Sequence, residues 1–137
     1  MKKAIITGAT GFIGQRLVGA IDSNIRVLSR EKQPDYETIV CDLQSEVIPD
    51  SALDEVDTVF HLAGFSHDFR DATKIQKLYQ KVNVDATIRL AKIAVKSNVK
   101  RFVFVSSVKA GGNPPLGTCA NEKDQKNTED VYGKTKR

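Results

Sequence analysis

Ala4-Ile5-Ile6-Thr7-Gly8-Ala9-Thr10-Gly11-Phe12-Ile13-Gly14 sets a β-branched run directly before three glycines at intervals of three, which lead into an apolar helical pattern. A strand that turns sharply into a helix needs glycine to make the turn, to let a ligand approach the backbone, and to pack helix on strand. A helix starting at Phe12 exposes the N–H groups of Phe12 and Ile13 at the positive end of its dipole, an arrangement suited to phosphate. A plain βα turn has the same glycines; the strand before them and the helix after them favour a dinucleotide pyrophosphate.

Outward from that turn, short β-branched runs alternate with longer helical patterns. Strands are predicted at residues 4–7, 25–28, 38–41, 57–62 and 101–105. The fourth is nearly all apolar, as a strand buried on both faces should be. Helices are predicted at about 12–21 and about 74–97; in the second, Ile75, Leu78, Val82, Ala86, Leu90 and Ile93 recur at spacings of three and four. Residues 107–130 are polar, contain Gly111-Gly112-Asn113-Pro114-Pro115, and read as a long loop of the kind that carries function. A last helix starts near Val131. The pattern implies an α/β fold, a Rossmann-type doubly wound parallel sheet in three α/β/α layers, with residues 1–137 forming one domain.

Composition narrows the choices. The 137 residues are 40% hydrophobic and 28% charged, ordinary for a globular protein, with a net charge of +4. Much of the positive charge lies on the long helix (Lys74, Lys77, Lys81, Arg89, Lys92, Lys96) and on Lys134, Lys136 and Arg137. No nucleic-acid-reading element accompanies it, so a solvated face is expected and no nucleic-acid partner. Cys41 and Cys119 lie far apart with no Cys/His cluster, which argues against a metal site or a disulfide framework and for reduced cytoplasmic thiols. Thr7, Gly8, Thr10 and Gly11 interrupt the first apolar run too early for a signal peptide, and no stretch is long enough to span a membrane. The protein is expected to be soluble, without a membrane partner.

The GxxGxxG spacing of Gly8, Gly11 and Gly14 within Thr7–Gly14 resembles the opening of the extended short-chain dehydrogenase/reductases, most of all the NAD(P)-dependent epimerases and dehydratases of nucleotide sugars. The candidate phosphate-binding set is Gly8, Thr10, Gly11, Phe12, Ile13 and Gly14. About 20 residues past the turn, an acidic side chain suits the ribose hydroxyls of NAD and an arginine the extra phosphate of NADP. Ser29-Arg30 stands there, with no carboxylate until Glu31. Hydroxyl and guanidinium both donate to phosphate, which favours NADP over NAD; the competing reading of Arg30 is a solvated loop residue. The resemblance further implies Asp42 and Leu43 beside the adenine, and Leu62, Ala63 and Gly64 under the diphosphate and ribose. His61 reads as a packed strand residue rather than a base, and His67 is given no role.

Tyr132-Gly133-Lys134-Thr135-Lys136 is a YxxxK pair on one helix face. A nearby ammonium favours the phenolate and brings a tyrosine towards useful acid/base chemistry. The resemblance implies that Tyr132 exchanges a proton with the substrate oxygen while Lys136 tunes it and grips the nicotinamide ribose. It makes Ser107, the second of two strand-end serines, the group that orients the substrate oxygen. Asn83 in Asn83-Val84-Asp85-Ala86-Thr87 anchors a water or backbone group, with Ala86 where the family usually has glycine. Residues 106–111 with Glu122 and Asp124 resemble the nucleotide-sugar branch; Lys109 reads either as a contact to substrate phosphate or as a solvated lysine. The resemblance thus implies a UDP-glucose 4-epimerase-like activity with NADP or NAD, a nucleotide-sugar substrate, and, in the intact protein, room for a homodimer. Family members run to more than twice this length, so the sheet is expected to be truncated at its C-terminal end, with the later strands and substrate-binding portion missing and turnover weak or absent. The competing reading is a non-catalytic NAD(P)-binding or sensor module.

Overall fold

The computed structural model describes residues 3–66 and 72–137, with no statement on the side chains of residues 72–74; His67 lies outside the described residues. Five strands, β1 (Lys3–Thr7), β2 (Asn24–Ser29), β3 (Glu37–Val40), β4 (Thr58–His61) and β5 (Arg101–Phe104), form one parallel sheet in the order β3-β2-β1-β4-β5. The helices are α1 (Phe12–Ala20), α2 (Ala72–Tyr79), α3 (Ala86–Lys96) and α4 (Val131–Lys136). The predicted elements are all found, with ends displaced by one or two residues, the usual latitude at fraying ends.

The sheet is covered on both faces because neighbouring strand residues point in opposite directions. Ile5, Leu28 and Val59 pack with Leu90, Ile93 and Ala94 of α3 and with Ala52 and Leu53 of a 3-10 turn, Asp50–Leu53. Ile6 and Val27 face the other way, joined by Phe60, and meet Leu17, Val18 and Ile21 of α1 and its end. Three layers follow. Strand order reverses between β1 and β4, so the connections leaving their carboxyl ends diverge to opposite faces and open a crevice. Register sets Thr7 beside Leu28 and His61, and His61 beside Phe104. Gly8, Arg30, Asp42, Leu62 and Ser106 therefore all leave the sheet along one edge.

Two features depart from the expected outline. The long helix is not uniform: a π-helical turn, Gln80–Asp85, separates α2 from α3. Its trace in the sequence is the run Leu78, Val82, Ala86, Leu90, three successive spacings of four that average more residues per turn than an α-helix allows. The β5–α4 loop begins with a 3-10 turn, Val108–Gly111, and folds back on itself where the Lys126 N–H donates to the Gly111 carbonyl at 2.8 Å. Gly112 at that closure has φ of 81°, and a Cβ there would stand 2.7 Å from Lys126 Cβ. Among the described residues, no helix is long and apolar enough to cross a membrane.

Leu90 is fully buried where α3 meets the sheet. Leu90→Ala is expected to cost about 2–5 kcal/mol of stability in urea denaturation, whereas an exposed α3 position such as Lys92→Ala should move it by about 0.5 kcal/mol or less.

Candidate functional site

The turn after β1 is shaped by contacts that exclude side chains. Gly8 has φ of 72°, and a Cβ on it would stand 2.8 Å from the Ala63 nitrogen. A Cβ on Gly14 would be 2.1 Å from the Gly8 carbonyl oxygen, so α1 sits directly on the turn. Gly11 donates to the Gly8 carbonyl at 3.0 Å and takes the N-cap position of α1 without a side-chain cap. The first-turn amides of Phe12, Ile13 and Gly14 therefore have neither a capping side chain nor an intrahelical acceptor, the condition for holding an anion.

A cleft of about 440 Å³ opens at this turn. Gly8, Thr10, Gly11, Ser29, Arg30, Asp42, Leu43, Leu62, Ala63 and Gly64 line it. Phe12 and Ile13 contribute no lining; their side chains are 77% and 56% exposed, and the Arg16 guanidinium lies 4.0 Å from the Phe12 ring centre. Gly14 is packed beneath. The sequence reading missed Ala9, Leu28, Cys41, Gln44, Phe65, Ser66 and Val82. Leu28 and Cys41 could have been found, since each immediately precedes a strand-end residue already singled out. Asp42 is held in place: its carboxylate accepts from the Gln44 amide at 2.9 Å and the Ser45 hydroxyl at 3.1 Å, and its own N–H is taken by Glu46.

Behind the cleft runs a buried hydrogen-bonded path. The Ala63 N–H donates to Thr7 Oγ1 at 3.0 Å, and that hydroxyl meets His61 Nδ1 at 2.7 Å. His61 Nε2 meets Thr87 Oγ1 at 2.8 Å, and the Thr87 hydroxyl donates to the Asn83 carbonyl at 2.8 Å. One assignment satisfies every atom: Thr7 donates to Nδ1, and Nε2–H donates to Thr87, which makes the imidazole neutral. His61 is fully buried, its ring 5.8 Å from that of Phe104, and burial, aided by the Lys136 charge, pushes its pKa down to about 4. It is a packed strand residue.

Asn83 is 3% exposed because the π turn swings it inward. Its Oδ1 accepts from the Phe65 N–H at 2.6 Å, and its Nδ2 donates to the Phe65 carbonyl and to Thr135 Oγ1, both at 3.1 Å. Lys136 is 4% exposed, with its ammonium 4.3 Å from the Phe104 ring centre; a Cβ on Gly64 would be 3.6 Å from Nζ. Burial pushes the Lys136 pKa down. The structure thus gathers Asn83, Lys136 and Gly64 at the cleft wall. Tyr132 is half-buried, its ring 6.2 Å from that of Tyr79. Ser107 Oγ accepts from the Lys109 N–H at 3.3 Å, which leaves the hydroxyl hydrogen available. Ser107 opens on a second cavity, of about 620 Å³, shared with Lys109, Glu122 and Asp124. The Lys109 ammonium lies 3.5 Å from Asp130, whose carboxylate caps α4 by accepting from the Gly133 N–H at 2.5 Å.

The chain is similar to known proteins over nearly its whole length. The model of the NAD dependent epimerase/dehydratase family matches residues 4–137. Similar sequences include a UDP-glucose 4-epimerase of Vibrio cholerae, 33% identical over 98% of this chain and 44% of the relative. Another is the N-acetyl-alpha-D-glucosaminyl-diphospho-ditrans,octacis-undecaprenol 4-epimerase of Escherichia coli O157:H7, 32% identical over 96% of this chain and 40% of the relative. MoeE5, solved in complex with UDP-glucose and NAD, superposes with a TM-score of 0.83 at 32% identity, over 98% of this chain and 45% of that one. The chain spans less than half the length of these relatives.

The neutral His61 makes stability depend on pH. Its folded pKa of about 4 lies below the unfolded value near 6.5, so the unfolded chain binds more protons between the two. The stabilisation is complete above about pH 6.5 and lost as pH falls through 4, by about 3 kcal/mol at roughly 1.4 kcal/mol per unit. Ring NMR should show His61 titrating near 4; a midpoint near 6.5 would contradict the assigned path.

Proposed function

The chain belongs to the NAD dependent epimerase/dehydratase family, and from that premise we propose that it is the cofactor-binding portion of an NADP-using epimerase, dehydratase or reductase of nucleotide sugars. The observation that carries the proposal is the meeting of the glycine-shaped cleft with Asn83 and Lys136 at Gly64. Gly8, Thr10 and Gly11 of the phosphate-binding turn line the cleft, and so does Gly64, beside which the Lys136 ammonium is buried; this supports a dinucleotide that would reach from the one to the other.

The residues fit such a cofactor. The amides of Phe12 and Ile13 would hold the diphosphate, on a turn that Gly8 and Gly14 allow to pack against Ala63 and beneath α1. Asp42 and Leu43 would border the adenine, and Leu62, Ala63 and Gly64 would support the diphosphate and nicotinamide ribose. Ser29 and the exposed Arg30 line the cleft where the adenosine ribose would lie, without a neighbouring carboxylate before Glu31, which supports a 2′-phosphate. Relatives named for NAD lead the finer reading to rest on this charge argument alone.

The bound nicotinamide supplies the hydride acceptor or donor. Lys136, one helical turn from Tyr132, would hold the ribose hydroxyls and favour the phenolate. Tyr132 takes a proton from, or returns one to, the substrate oxygen. Ser107 donates its free hydrogen to that same oxygen and so fixes the direction of transfer. UDP-glucose in a structural neighbour and in the name of a sequence relative supports a UDP-hexose as substrate. The two free thiols, Cys41 and Cys119, suit a reducing compartment such as the cytoplasm.

Calorimetric titration is expected to give tighter binding for NADPH than NADH, with Arg30→Ala weakening NADPH by about tenfold or more and leaving NADH nearly unchanged. Equal affinities overturn the NADP reading, and absence of both overturns the site. In any form of the protein that converts UDP-glucose, Tyr132→Phe should lower kcat by about 100-fold or more at unchanged cofactor affinity. Undiminished turnover would favour a binding module instead.

A further inference from the structure

Between Tyr132 and Lys136 lies a hydroxyl to which the proposed chemistry gives no task. Thr135 Oγ1 accepts from Asn83 Nδ2 at 3.1 Å and donates to the Tyr132 carbonyl at 3.1 Å. The remaining Asn83 amide hydrogen and its oxygen are spent on the two backbone groups of Phe65. Every hydrogen-bonding group of that amide is therefore committed, and its orientation is determined, because a flipped amide would set a donor against the Phe65 N–H. Phe65 immediately follows Gly64 and itself lines the cleft.

A helix of six residues does not hold its own shape, so the direction of α4 depends on what it is tied to. Asp130 caps its start and reaches the β5 side through its ion pair with Lys109, and the Ser106 hydroxyl past β5 donates to the Lys136 carbonyl at 2.6 Å. Thr135 ties α4 to the β4 side. We propose that Thr135 is the positioning residue that couples the cofactor wall at Phe65, through Asn83, to the turn carrying Tyr132. The proposal rests on the reading of the cleft as a cofactor site and of Tyr132 as the proton-transfer group. It adds a residue whose hydroxyl matters although it touches neither cofactor nor substrate. Valine at this position keeps the branched shape and removes both bonds, leaving a buried Asn83 amide hydrogen without its acceptor. Serine keeps the hydroxyl.

The test is hydrogen–deuterium exchange on the full 137-residue chain, wild type against Thr135→Val and Thr135→Ser, each without ligand and with NADPH. Thr135→Val is expected to speed exchange of the Gly133–Lys136 amides by about tenfold, the loss of one buried hydrogen bond, while β1 and β4 amides stay within about twofold. Thr135→Ser should restore wild-type exchange. NADPH should slow the same amides in wild type and in Thr135→Ser and not in Thr135→Val. Equal exchange in wild type and Thr135→Val overturns the proposal, as does a β1 and β4 response as large as that of α4, or equal NADPH protection in all three. Failure of NADPH to bind wild type counts against the functional reading instead, and the ligand-free exchange still decides Thr135.

Discussion

The ends of β1 and β4 approach so closely that Gly8 lies against the backbone of Leu62 and Ala63 with no room for a side chain. The rest of the site depends on this approach. It sets the distance between the phosphate-binding turn and the opposite cleft wall, and it brings the Thr7 hydroxyl within reach of the Ala63 N–H. Alanine at position 8 would meet two obstacles at once: a left-handed backbone conformation and an atom 2.8 Å away. Gly14 repeats the constraint one layer out, seating α1 on the same turn.

Between the two strands the protein places polar groups where an apolar contact would have served packing. Thr7, His61, Thr87 and Asn83 are buried or partly buried, and each finds a partner. Such a chain is costly if any member lacks its bond and specific if all are satisfied. A neutral imidazole suits this role, because one ring nitrogen accepts from β1 while the other donates to α3. The path therefore defines how strand and helix sit relative to each other more narrowly than aliphatic packing does. Asn83, whose side chain continues the connection to α4, is where the two halves of the site join.

The sheet and its strand-end residues were legible in the sequence because they follow from local rules. Short β-branched runs and a helical pattern of spacings three and four marked the elements, and their alternation implied parallel strands. Arg30 could be named from its distance past the glycine turn, and Asp42 and Gly64 from the family resemblance; all three line the cleft because parallel order sends every strand end to one edge. Pairings between distant residues were not legible. His61 with Thr7 and Thr87, or Asn83 with Thr135, depends on register and on the π turn, which decides that Asn83 and not Val84 faces inward. The three spacings of four near that turn were visible in the helical pattern, but no α-helical template distinguishes them from ordinary irregularity. Phe12 and Ile13 show a further limit: the turn motif identifies amides, and their side chains lie outside the cleft lining.

Lys136 shows why these parts belong to one device. Its stem is buried and its ammonium lies between the Phe104 ring and Gly64, where burial favours the neutral amine. The aromatic face offsets part of that desolvation. Glycine at position 64 leaves the space beside Nζ open, and that opening is on the cleft wall. In the proposed function, ribose hydroxyls enter this opening and supply oxygen acceptors that strengthen the charged form. On that reading, a lysine charged more firmly by the arrival of its ligand would stabilise a phenolate only once the cofactor is in place. Binding and proton transfer would thereby be linked through a single side chain, on a helix that Asp130, Ser106 and Thr135 tie by hydrogen bonds.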